Sequence, residues 1–166
     1  MTDETQKRAC FTGHRVLGSD FDKEKATALI EALYKMGVDT FICGGALGFD
    51  MEIGYLVLEA KKKHPDIKLW LFLPCTDQDA RWHEADKKRR RLLIEQADLV
   101  DCPDTTYNDT VMRTRNYKMV DNSHYCICYF NGKRVSGTAQ TIRYAKRNGR
   151  KIYNLCSKGM AVVEAL

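Results

Sequence analysis

Short apolar runs alternate with helix-length amphipathic segments along almost the whole chain, and few folds accept that rhythm. Residues 8–12, 40–43, 67–73, 98–102, 124–130 and 151–155 read as strands. Residues 22–36, 49–63, 80–97, 110–120 and 138–148 read as helices, and Ser157 is placed to cap a last short one ending at Leu166. In the first helix Ala26, Leu29, Ile30 and Leu33 fall at i, i+3, i+4 and i+7, the stripe that faces a core. Gly37 and Gly149 stand where helices stop, and Pro65 breaks the second. The run 67–73 is continuously apolar, as a strand covered on both faces must be. Strands joined by helical connections predict a mostly parallel sheet with helices on both faces: an α/β, three-layer, Rossmann-like single domain over residues 1–166.

Composition agrees with a globular chain. Apolar residues make up 44% and charged residues 30% of the 166, outside the disordered range. No apolar stretch approaches the roughly 20 residues of a membrane-spanning helix, and the polar opening segment has no signal-peptide core. The expectation is a cytoplasmic protein without a membrane partner. The seven cysteines, Cys10, Cys43, Cys75, Cys102, Cys126, Cys128 and Cys156, are odd in number and include no Cys-x-x-Cys. They read as small buried hydrophobes rather than a disulfide framework or zinc site. His14, His64, His83 and His124 lack metal-ligand spacing, so neither metal nor cofactor is expected.

In a sheet of this kind the ligand lies beyond the carboxyl ends of the strands, where strand order reverses. The residues just after each strand therefore carry the functional expectation. Thr12-Gly13-His14-Arg15 follows the first strand, Gly44-Gly45-Ala46-Leu47-Gly48-Phe49-Asp50 the second, Pro74-Cys75-Thr76 the third and Ser136-Gly137-Thr138 the fifth. Small residues leading into helices make anion sites, because the first backbone N–H groups of a helix lack partners and its dipole adds positive charge. Arg15 supplies a bidentate clamp on the same edge. Asp50 reads either as a dipole-favoured acid in the first turn of its helix or as an acceptor for a ribose hydroxyl or partner for Arg15.

Three further features are open to two readings each. Met112, Asn116, Met119 and Val120 form a core-facing stripe, with Arg115 beside it either solvated or reaching over the sheet edge. Trp82 is either a half-buried core residue or a stacking surface for a ring. Lys87-Lys88-Arg89-Arg90-Arg91 wraps more than one helical face, which favours a solvated surface over a nucleic-acid grip.

These motifs, taken in order, resemble the SLOG superfamily, named for its Smf/DprA and LOG members, and above all its YpsA-like branch. The resemblance rests on Cys10-Phe11-Thr12-Gly13-His14-Arg15, Gly44 to Asp50, Leu73-Pro74-Cys75, Arg81-Trp82, Arg115-Asn116 through Asp121, and Gly137-Thr138. It implies a Rossmann-like fold and a nucleotide-derived ligand. LOG members are similar to phosphoribohydrolases that cut the N-glycosidic bond of a nucleoside monophosphate. By that resemblance Arg115 stands at the catalytic arginine's place and Ser136-Gly137-Thr138 at the glycine motif, Ser136 replacing its first glycine. The catalytic glutamate then falls on Thr141, which carries no carboxylate; Asp50 and Asp121 are the alternatives for an acid.

The expected pocket is thus Gly13, Arg15, Gly44, Gly45, Asp50, Arg115, Ser136, Gly137 and Thr138, with Trp82 as a candidate stacking residue. Its expected role is to bind a nucleotide-derived small molecule as a sensor, regulator or sequestering protein. The alternatives are an N-glycosidase, a DprA-like single-stranded DNA binder using Lys87 to Arg91 and Lys146 to Lys151, and a scaffold with a vestigial pocket. Nucleic acid is the less favoured partner, since the net charge is only +5; a homo-oligomer is expected by analogy with related folds.

Overall fold

The computed structural model describes residues 7–166; of the polar opening segment only Lys7 and Arg8 fall inside them. Six strands and six helices alternate: β1 (Arg8–Gly13), α1 (Lys23–Lys35), β2 (Thr40–Cys43), α2 (Phe49–Lys63), β3 (Lys68–Phe72), α3 (Glu84–Gln96), β4 (Leu99–Asp101), α4 (Val111–Asp121), β5 (Tyr125–Tyr129), α5 (Gly137–Arg147), β6 (Lys151–Asn154) and α6 (Met160–Ala165). The strands form one sheet in the order β4-β3-β2-β1-β5-β6, and every neighbouring pair is parallel. The expected Rossmann-like architecture is the observed one.

Period two sorts the core into its layers. Ala9, Phe11, Phe41, Cys43, Leu69, Leu71, Ile127 and Tyr129 pack with α1, α2 and Leu93 of α3. The residues between them, Cys10, Ile42, Phe72 and Cys126, meet Met119 and Val120 of α4 and Ala145 of α5. Cys128 and Phe130 meet Ala139 and Ile142 of α5, with Val162 and Val163 of α6 against them. Six of the seven cysteines are buried as expected; Cys102, just past the short edge strand β4, is exposed instead, and none of the seven is paired.

Two helices begin later than the apolar pattern suggests. The helix expected over 80–97 starts at Glu84, because the chain first makes successive turns, Ala80 N–H to Asp77 O at 3.1 Å and Trp82 N–H to Asp79 O at 3.0 Å. Ser157 caps nothing. It opens a single 3-10 turn, Ser157–Gly159, and α6 follows from Met160. Gly159 lies so near the end of β5 that a Cβ would fall 1.8 Å from the Phe130 carbonyl oxygen, so this contact fixes where the last helix starts.

Strand order reverses beside β1: β2, β3 and β4 lie on one side of it, β5 and β6 on the other. The loops after β1 and β5 therefore diverge to opposite faces and leave a crevice between them. Ile127 is fully buried at the centre of β5. Ile127→Ala is expected to cost ~2–5 kcal/mol, measured as a lower urea midpoint with an unchanged m-value.

Candidate functional site

The crevice holds a cavity of about 220 Å³. The end of β1 supplies Phe11, Thr12, Gly13, His14 and Arg15; α2 supplies Asp50, with Ala46 before it; α4 supplies Met112, Arg115 and Asn116; the start of α5 supplies Ser136, Gly137 and Thr138. Seven of the expected residues meet here: Gly13, Arg15, Asp50, Arg115, Ser136, Gly137 and Thr138.

Arg115 is the most unusual of them. Its residue is only 6% exposed, and it belongs to the buried stripe of α4 with Val111 and Met119 rather than lying beside it. Met112 and Asn116, expected in that stripe, are half-buried and face the cavity. The apolar pattern misplaces the face because the helix overhangs strand-end carbonyls, a polar surface that wants a donor. Arg115 Nη1 donates to the Gly44 carbonyl and, at 3.3 Å, to Phe72 O, at the ends of β2 and β3. Its Nε donates to Asn116 Oδ1 at 2.8 Å. Nη2 has no hydrogen-bond partner among the described residues and is not sealed among buried atoms, so it stays available.

Asp50 lies across Gly44 from that guanidinium. A Cβ on Gly44 would come within 2.6 Å of Arg115 Nη1 and 2.7 Å of Asp50 Oδ2, so only glycine admits both. Burial pushes the Asp50 carboxyl up to about 6, while Arg115, the Ala46 N–H and, more weakly, Arg15 pull it down. Burial also lowers Arg115 from its ordinary value, with Asp50 opposing. Of the readings open for Asp50, a charge relation with Arg15 exists, but Arg115 is the stronger partner.

The two glycine turns differ from each other. The turn before α2 reaches the cavity only through Ala46: Gly44 and Gly45 are buried behind it. Two of its donors are used, Phe49 N–H on His14 O at 3.1 Å and Ala46 N–H on Asp50 Oδ2 at 3.3 Å. Gly48 has φ +79°, and a Cβ there would sit 2.2 Å from the Arg15 carbonyl. These glycines let the β1–α1 loop press on α2. The turn before α5 does face the cavity. Ser136 caps that helix, its Oγ accepting from Ala139 N at 3.1 Å and donating to Lys133 O at 2.8 Å. Its hydroxyl is thus engaged, which leaves the first N–H groups of α5, on Gly137 and Thr138, toward the cavity.

Loop anchors hold Arg15 in place although its side chain is exposed. Tyr129 Oη accepts from Gly18 N–H at 3.0 Å and donates to Asp20 at 2.6 Å; burial and that carboxylate push the phenol up to about 12. His14, part of the turn expected to matter but not among the expected pocket residues, also lines the cavity. Its Nε2 accepts from Asn131 N–H at 3.2 Å, and burial lowers its pKa, so the ring is neutral at pH 7. Its place after Gly13 at a strand end was the signal for it.

Other expectations fall outside the cavity. Trp82 is half-buried against the main core, with the Arg90 guanidinium 5.9 Å over its ring. Thr141 is buried and its hydroxyl donates to Gly137 O at 2.8 Å within α5. Asp121 accepts from Tyr144 Oη at 2.6 Å at the far end of α4. The basic run is largely spent on internal pairing. Lys87 meets Glu84 at 3.5 Å, Arg89 meets Glu52 at 2.7 Å, and buried Arg90 meets Asp79 at 3.5 Å and Gln78 at 3.1 Å.

With this geometry in place, the likeness to known proteins is informative. The YpsA model, described as the YspA SLOG family, matches residues 21–158. The chain belongs to this SLOG family. It is 32% identical over 149 residues to the SPbeta prophage-derived protein YoqJ of Bacillus subtilis, covering 80% of this chain and 86% of YoqJ. It is 33% identical over 88 residues to a UPF0398 protein of Halalkalibacterium halodurans, covering 53% of this chain and 47% of that one. Among solved structures, DNA processing protein A of Streptococcus pneumoniae superposes with TM-score 0.69 at 15% identity, over 95% of this chain and 56% of that one. A second, from Helicobacter pylori, described for its single-stranded DNA binding mode, gives 0.66 at 19% identity, over 91% and 66%. At such identities the likeness is one of fold, and this chain spans about half the length of the streptococcal protein.

Asp50 binds its proton more tightly folded than unfolded, since its pKa rises from 3.8 to about 6. It contributes stability that is fully present below pH 3.8 and is lost as pH rises through about 6. Wild-type stability relative to Asp50→Asn is therefore expected to fall by ~2 kcal/mol between pH 4 and pH 7, read from urea unfolding at each pH.

Proposed function

We propose that this SLOG-type module binds a nucleotide-derived small anion in the crevice beside β1, with its phosphate at the start of α5. What carries the reading is the cavity at the reversal of strand order, where the open N-terminus of α5 faces a buried arginine. Helix N–H groups and dipole favour a phosphate. Arg115 Nη2 and the Arg15 side chain supply charge-assisted bonds, and Thr138 adds a hydroxyl. Asp50 is an acceptor suited to a ribose hydroxyl, and His14, whose Nε2 already accepts from the Asn131 N–H, offers its other ring nitrogen as a donor. Gly13 lines the cavity and makes room behind it for the Phe49 ring, which a Cβ would approach to 2.4 Å, while Gly44 and Gly45 lie behind the wall that Ala46 and Asp50 form. Ser136 serves as the cap that orients α5.

A screen of melting temperature against nucleotides, dinucleotides and cyclic nucleotides, with chromatography of each mixture, tests this. A rise in melting temperature with the ligand recovered intact is the expected result; no rise with any of them overturns the reading. Arg15→Ala removes an exposed side chain from a pinned backbone. It is expected to weaken the bound nucleotide about tenfold, as loss of one charged hydrogen bond does, without lowering the melting temperature of the free protein.

One observation favours a second reading, hydrolysis of an N-glycosidic bond. Asp50 is the only carboxylate lining the cavity among the described residues, and its pKa of about 6 suits proton exchange near neutrality. Free base in the chromatogram, lost on Asp50→Asn, would establish it. The Helicobacter neighbour suggests single-stranded DNA instead. Against that, three of the five residues in the basic run are paired internally. Fluorescence anisotropy is expected to find only weak, salt-sensitive binding, in the non-specific range of ~10⁻⁴–10⁻⁶ M; tight binding that persists at higher salt would favour the DNA reading.

A further inference from the structure

A second cavity, of about 230 Å³, opens on the other flank of α4. Its walls are apolar: the ring of Phe72, Leu73 and Pro74 after β3, Pro103 in the β4–α4 loop, and Val111. Threonine hydroxyls stand around it on Thr105, Thr110 and Thr114. The charges at its edge are already matched: Lys118 Nζ is paired with Asp101 and lies 5.3 Å over the Phe72 ring. Such a cleft suits an uncharged flat ring, with apolar faces against the walls and polar edges meeting hydroxyls.

Arg115 is the one residue that lines both cavities. It is also the residue whose Nη2 has no partner among the described residues, although the side chain is buried. Small-molecule pockets generally hold about 300–1,000 Å³. Each cavity alone, at about 220 and 230 Å³, falls short of that.

We propose that the apolar cleft is the subsite for the heteroaromatic base of the ligand whose phosphate lies at α5, with Arg115 bridging the two parts. This rests on the nucleotide reading above and adds where the base goes. Arg115, tied to the ends of β2 and β3 through Gly44 O and Phe72 O, fixes the spacing between base and phosphate. A free nucleobase or nucleoside has the same ring chemistry, and the experiment distinguishes the two sources.

Calorimetric titration uses the four common ribonucleoside monophosphates, their nucleosides and ribose 5-phosphate. The wild-type chain is expected to bind at least one monophosphate ten times or more tighter than ribose 5-phosphate, and to lose the matching nucleoside when that monophosphate is added. Thr114 and Thr105 are exposed residues on opposite walls of the cleft, so Thr114→Phe and Thr105→Phe fill it from two sides without touching the core. Each is expected to weaken the monophosphate at least tenfold while ribose 5-phosphate binds as before; two variants guard against one that fails to fold. A monophosphate bound no tighter than ribose 5-phosphate overturns the proposal, as does full affinity in both folded variants. A nucleoside that stays bound beside the monophosphate also overturns it, by showing a separate occupant. If the wild-type chain binds neither monophosphates nor ribose 5-phosphate, the nucleotide reading itself fails.

Discussion

The site is organised around one buried cation. Carbonyl oxygens at the ends of β2 and β3 point past the last rung of the sheet, where no further strand residue pairs with them. Left bare under a helix, each would carry a desolvation penalty of roughly 1–3 kcal/mol. Arg115 meets both from above, which lets α4 lie down over the sheet edge and close both cavities. The guanidinium in turn requires a counter-charge in a place water barely reaches. Asp50 provides it from the first turn of α2, and both fit only because Gly44 has no side chain. Helix placement, the glycine and the displaced acid titration all follow from the same two carbonyls.

The second constraint is topological. Parallel pairing forces each connection to cross a face of the sheet, so successive loops at the carboxyl edge share that edge with helix starts. The order β4-β3-β2-β1-β5-β6 puts the reversal at β1 and sets its loop against the start of α5. The β1 loop lies on α2, and its carbonyls consume that helix's first donor. One helix N-terminus is used as structure and the neighbouring one is left open. That asymmetry is why the proposed phosphate position lies at α5 rather than α2.

Fold and edge were legible because both rest on periodicity. Apolar runs of strand length, stripes at 3.6 and glycines at helix ends all report local structure, and the six strands and six helices appear where those signals lie. What stayed hidden was long-range polar pairing. Nothing in the spacing of Val111, Arg115 and Met119 says that the arginine faces inward, since the carbonyls it meets lie 71 and 43 residues earlier. The basic run misleads for the same reason: Arg89 and Arg90 find their acids on other elements. His14 was visible as a residue at a strand end, but neither the burial that lowers its pKa nor its Nε2 partner, the Asn131 N–H 117 residues away, could be read from the spacing.

Conflicts between local rules and the global fold concentrate at this edge. A buried arginine, an acid that resists ionising, glycines at positive φ and the exposed valines Val16 and Val135 on the loops beside the cavity each cost stability or solubility. In the four central strands, β3, β2, β1 and β5, the two faces of the sheet are filled by alternating side chains, while buried Arg90 and the exposed Leu99 and Val100 of β4 are departures elsewhere. Sequences under selection for folding alone have no reason to gather such costs in one crevice. A polar core position of this kind can be replaced by well-packed apolar residues at no loss of stability. Its presence at the reversal of strand order, where this class of sheet opens to ligands, is an argument for a retained function at the site rather than a vestige of one.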